Sequence, residues 1–209
     1  MPVFSRVSPR ARRARLVAGA LAVAVAACSG GGRGGDGAGG GSSGGDGGGE
    51  RAAFAFTVTG TEVHAMAPEP PAFPDEVAAK VKAGLDAYLA AGVIEPVRTG
   101  GSPSGLEQSF TAAALGRLSA SAPDRAAVLE EGVALTGEVR QERADAALTA
   151  LTDPGGAVVV VVARVDMAHT VDSGDDEVAV ARSGDLVLVD DGGSWKVDAF
   201  DVRATRGAR

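Results

Sequence analysis

The chain of 209 residues contains no asparagine, one cysteine (Cys28), one tyrosine (Tyr88), one tryptophan (Trp195), one isoleucine (Ile94), two histidines and three lysines. A single cysteine excludes an intramolecular disulfide, so the fold must be held by its core. Neither histidine has a cysteine or second histidine at ligand spacing: His64 precedes a proline-rich loop and His169 ends an apolar stretch. No zinc site, other metal or cofactor is therefore expected. No serine sits in a Gly-x-Ser-x-Gly setting, which leaves hydrolase chemistry without a motif. Beyond the N-terminal segment no apolar run nears the roughly twenty residues of a spanning helix; Val158–Val162 is far too short. Basic residues are also scarce, with 20 Lys and Arg against 27 Asp and Glu, a net charge of −7. A basic face for nucleic acid is not expected, and anionic headgroups would repel so acidic a surface.

The first fifteen residues do carry Arg6, Arg10, Arg12, Arg13 and Arg15 without an acid, followed by apolar, small residues from Leu16 to Ala27. A helix of that run would measure about 18 Å, against a hydrocarbon core of roughly 30 Å. This is the pattern of an export signal that is cleaved. It ends in Val25-Ala26-Ala27-Cys28, which resembles the lipobox of bacterial lipoproteins, with valine where leucine is commoner. The resemblance implies acylation of the Cys28 sulfur and cleavage just before it, so that residues 1–27 are a signal peptide and the membrane partner is reached through acyl chains on Cys28. Two or more chains give stable attachment. Loss of residues 1–27, with five arginines and no acid, takes the net charge from −7 to −12.

After Cys28, the rest of residues 28–50 is glycine and serine with Arg33, Asp36, Ala38, Asp46 and Glu50 interspersed. Such a segment buries no apolar area and is expected to be a disordered tether. At 22 residues, Ser29–Glu50 would span about 26 Å as a flexible coil. Residues 51–209 have the size of one domain.

Within it, Phe54, Phe56 and Val58 alternate with threonines as in a strand. Asp75 and Glu76 open a helix with the apolar stripe Val77, Val81, Leu85, Tyr88 and Leu89, and Gly92 is its predicted stop. Ser104-Gly105-Leu106-Glu107 reads as a capping box before a short helix bearing Leu106, Phe110 and Leu118. Ser121-Ala122-Pro123-Asp124 opens another through Leu129. Turns at Asp153–Gly156, Asp172–Asp176 and Asp190–Gly193 divide the remainder into strands. Glu138–Leu151 has helix-favouring composition but precedes a hairpin turn, and is assigned as strand. Ala157–Val171 places Val159, Val161, Ala163, Val165 and Met167 on a core face, with Arg164 and Asp166 opposite. Glu177–Asp190 and Trp195–Arg203 complete the meander. The carboxylates Asp172, Asp175, Asp176 and Glu177 lack the spacing of a calcium loop and read as a solvated turn.

Helices first, then a meander closing on Gly193-Ser194-Trp195-Lys196-Val197-Asp198-Ala199-Phe200, resemble the nuclear-transport-factor-two-like fold, whose Gly-x-Trp-x-Val ending also occurs in mammalian-cell-entry-associated proteins. The resemblance implies an α+β domain with N-terminal helices packed on a curved antiparallel sheet, a cone that can enclose a pocket. Fold alone assigns no chemistry. Pocket candidates are Tyr88, Asp166 and His169, each of which also has an ordinary structural explanation. No catalytic set is present. The expectation is a membrane-anchored, extracytoplasmic, non-enzymatic binding or accessory module for an apolar ligand or a cell-envelope protein. Alternatives are an isomerase-like or hydrolase-like enzyme and a structural subunit of an envelope complex.

Overall fold

In the computed structural model, which describes residues 54–65, 71–130, 137–172 and 177–208, Val81, Leu85 and Tyr88 are the buried face of helix α1 (Asp75–Tyr88), with Asp75 and Glu76 in its first turn. Cys28, the export signal and the Gly-rich tether lie outside the described residues. The described residues all belong to the compact unit Gly48–Arg209.

The helix does not stop at Gly92. It continues through a π-helical turn (Leu89–Ile94) into α2 (Glu95–Thr99) and ends at Gly100, whose φ of 64° is the left-handed stop. Burial of Val93, Ile94 and Val97 outweighs the cost of about 1 kcal/mol for an internal glycine. Pro96 explains the widened turn: it has no N–H for the Gly92 carbonyl, and its ring crowds that position. The freed Gly92 carbonyl accepts instead from the Glu130 backbone N–H at 2.8 Å.

The capping box expected at Ser104–Glu107 is not formed. Leu106–Gln108 is a single 3₁₀ turn, and Phe110 leaves it to make an isolated parallel bridge with Val197. Helix α3 (Ala112–Ala120) starts at Thr111, whose hydroxyl accepts from the Ala114 N–H and donates to Asp198 Oδ1 at 2.7 Å. That second bond gives Thr111 an advantage over Ser104, because it ties the cap to a strand. Ser121 caps α4 (Ala122–Val128), as its motif predicts.

The strands are β1 (Thr57–His64), β2 (Glu138–Thr152), β3 (Val158–Asp172), β4 (Glu177–Asp191) and β5 (Ser194–Ala208), in the order β1-β2-β3-β4-β5. β2 to β5 form the antiparallel meander. β1 runs parallel to β2, so the sheet is mixed, where a wholly antiparallel one is expected from the sequence. The helices between β1 and β2 provide the long crossover that parallel pairing requires. The class is α+β.

Strand β2 holds despite its alanines, because Val139, Ala144, Ala146, Leu148 and Ala150 are buried in a row and pairing between β1 and β3 overrides local helix preference. On β3, Val161, Ala163, Val165 and Met167 are core, but Val159 is 46% exposed. Leu151 pairs with Val160 and Thr152 with Val158, so Val159 is the extra residue of a bulge and leaves the core face. Helices α1, α3 and α4 lie against β5. Gly84 is the point of closest approach of α1, where a methyl group would overlap the Trp195 carbonyl. Among the described residues, no helix is long and apolar enough to cross a membrane.

Candidate functional site

The inward-facing row of β4 reads Val180, Arg182, Leu186, Leu188, an arginine at a core position of an apolar strand. Arg182 is 1% exposed, Glu130 3% and His169 3%. Glu130 accepts from Arg182 through Oε1 and from Arg206 through Oε2, the latter at 2.7 Å. Arg182 also donates to two carbonyls at the end of α4, from Nε to Ala127 at 3.2 Å and from Nη2 to Leu129 at 3.3 Å. The Tyr88 hydroxyl donates to the carbonyl between them, Val128, at 2.8 Å. With the Glu130 N–H on Gly92, the tertiary fold thus supplies partners for the helix end that the helix itself cannot satisfy. An arginine there also complements the helix dipole.

His169 Nε2 lies 3.8 Å from Glu130 Oε1, beyond hydrogen-bond reach. It and Arg182 Nη1 are buried nitrogens without a hydrogen-bond partner. Burial, reinforced by the positive charge of Arg182, depresses the His169 imidazole to about 4, so it is neutral at ordinary pH. Burial pushes the Tyr88 phenol up to about 12. The arrangement is a closed ion network, with both carboxylate oxygens of Glu130 taken and the only phenol committed to backbone.

Of the pocket candidates, Tyr88 and His169 therefore border one cluster, and Asp166 does not. Asp166 lies on the opposite face of β3, exposed and paired with Arg143 at 2.7 Å. The residues that organise the cluster, Glu130, Arg182 and Arg206, escape a motif search. The signal for Arg182 is its parity: a charge in phase with Val180, Leu186 and Leu188.

No protein-family model, curated protein or solved structure matches the chain.

A cleft of about 500 Å³ opens between α1 and the start of β5. It is lined by Lys80, Ala83, Gly84 and Ala87 of α1, by the Glu107–Gln108 turn and by Gly193–Lys196. Only three lysines exist in the chain, and two of them, Lys80 and Lys196, line this cleft. Lys80 is bridged to Glu76 at 2.7 Å and Lys196 to Asp191 at 2.9 Å. The third, Lys82, pairs with Asp86, which in turn accepts from the Phe56 N–H ahead of β1. Among the described residues no group of three or more His, Cys, Asp or Glu side chains is placed to hold a metal ion.

Proposed function

We propose that the protein is a membrane-anchored, extracytoplasmic lipoprotein, acylated on Cys28, whose domain is a non-enzymatic binding or accessory module of the cell envelope. The observation that carries the binding role is the cleft between α1 and β5, which is of small-molecule size and is lined by side chains that reach it from separate elements. The buried cluster argues in the same direction: its carboxylate and phenol hold the end of α4 and are spent on structure. A cone-like curvature of the sheet belongs to this reading, and the register shifts within the β1–β2, β2–β3 and β4–β5 pairs support it, since bulges bend and twist the strands that carry them. The charged lining of the cleft favours a polar ligand over the apolar one expected from the fold resemblance.

The enzyme alternative is weakened by geometry, because Asp166 is separated from Tyr88 and His169 by the thickness of the sheet. A structural-subunit role has exposed Leu151 and Val159 behind it, two side chains at one end of the β2–β3 hairpin. The test of the anchor is the intact mass of protein extracted from membranes, beside a Cys28→Ala variant. A chain beginning at Cys28 with acyl mass, lost in the variant, is the expected result. An unacylated chain released to the medium would overturn the reading.

A further inference from the structure

We infer that the cleft between α1 and the start of β5 binds a small zwitterion, a molecule of about dipeptide size with one free carboxylate and one free ammonium. This rests on the reading of the domain as a binding module and names the ligand class of that site.

Lys80 and Lys196 place two ammonium groups on the lining, and Glu107 places a carboxylate on the wall formed by the 3₁₀ turn. Around the rim stand Glu76 and Asp191, each paired with a lysine, and Asp190, close enough to Lys80 to favour its charged form. A purely anionic ligand would meet this excess of carboxylates, and a purely cationic one would meet the two lysines. A zwitterion satisfies both, its carboxylate on the lysines and its ammonium on Glu107. The Lys80–Glu76 pair is solvent-exposed and Asp191 is more than half exposed, and exposed ion pairs are weak, so either lysine can exchange its protein carboxylate for a ligand carboxylate.

Size and shape narrow the class further. A volume of about 500 Å³ suits a ligand of a dozen or so heavy atoms with its water. Ala83, Gly84 and Ala87 carry almost no side chain, and the seating of α1 against the Trp195 carbonyl at Gly84 fixes the position of the lysines and Glu107 relative to one another. Gln108 and Ser194 add an amide and a hydroxyl, neutral hydrogen-bonding groups suited to a peptide bond between the two charged ends.

The experiment uses the full chain in detergent and the fluorescence of Trp195, the sole tryptophan, which lines the cleft. The probes are alanylalanine, its N-acetyl form and its C-terminal amide. Saturable binding of alanylalanine is expected, weakened about five- to tenfold by blocking either end. A Glu107→Gln variant should erase the difference between alanylalanine and its acetyl form. A Lys80→Gln, Lys196→Gln variant should erase the difference from the amide, and Lys82→Gln should change neither. Because a variant can fail to fold, the wild-type amide resonances of Gly84, Gln108 and Ser194 are followed in the same titration and should shift first. Equal affinity for the three probes, no saturable signal, or shifts confined elsewhere would overturn the inference. If none of the probes binds while Cys28 is still acylated, the ligand class is wrong and the anchored reading stands. An unacylated chain that still binds alanylalanine overturns the anchor alone.

Discussion

Arg182 occupies a position that valine or leucine would fill at no electrostatic cost, and Glu130 is what makes it tolerable. Removing one partner of a buried ion pair leaves a charge stranded in the core and costs about 3–5 kcal/mol. Glu130→Gln is therefore expected to lower the unfolding free energy by about that amount in urea titration. A loss below 1 kcal/mol would mean that the network is open to water. Tyr88→Phe leaves the Val128 carbonyl without its donor and should cost about 1–2 kcal/mol in the same assay. His169 gives the pH dependence. It is held near 4 in the folded state against an ordinary 6.5, so folding disfavours its protonation. Its contribution is complete above about pH 6.5 and is lost as the pH falls toward 4, on the order of 3 kcal/mol in all. Comparison of the wild-type protein with His169→Gln between pH 7 and 4 isolates this slope from the carboxylates, and parallel curves would show that the imidazole is hydrated. The groups facing it, Glu130, Glu142, Arg182 and Arg206, are unchanged in that variant.

Elements are where the sequence can be read and where reading stops. The stripe Val81, Leu85, Tyr88 and the alternation Val161, Ala163, Val165, Met167 are periodic, and each is buried in phase. Glu138–Thr152 is recognisable as strand only through its turns, since its alanines prefer helix. What escapes is set by partners far along the chain. The helix passes Gly92 because Val93, Ile94 and Val97 have a core to enter, and Thr111 is chosen as a cap because Asp198 is there to accept its hydroxyl. Of the cleft, no residue is marked in the sequence, since Lys80 and Lys196 stand in no motif and nothing local brings α1 to β5. That contact depends on Gly84, where the helix touches the Trp195 carbonyl. Gly84→Ala raises local helix propensity by about 1 kcal/mol, yet it must push α1 off β5. The net outcome expected is destabilisation by more than about 2 kcal/mol, with a changed Trp195 emission maximum. A gain in stability would show that α1 is not seated as described.

For the whole molecule, the described residues and their core fall within Gly48–Arg209, while residues 28–50 are glycine-rich and carry almost no apolar side chains. Removal of residues 1–50 is accordingly expected to leave the urea midpoint of the domain unchanged, within about 0.5 kcal/mol of unfolding free energy. A larger loss would make residues 28–50 a structural part of the fold. The sheet order has a further consequence in time. β2, β3 and β4 each pair antiparallel with the next strand in sequence, in contacts that close as the chain lengthens. β1 is synthesised before all of them, but Thr57 must wait for Asp145, and the intervening helices α1, α3 and α4 wait longer still for β5. During synthesis the first strand thus emerges with both edges bare and stays so until the second has followed it. The exposed charge of Glu62 and the register shift between Val58 and Gly60 are the features that keep such an early edge from pairing with another chain in the interval.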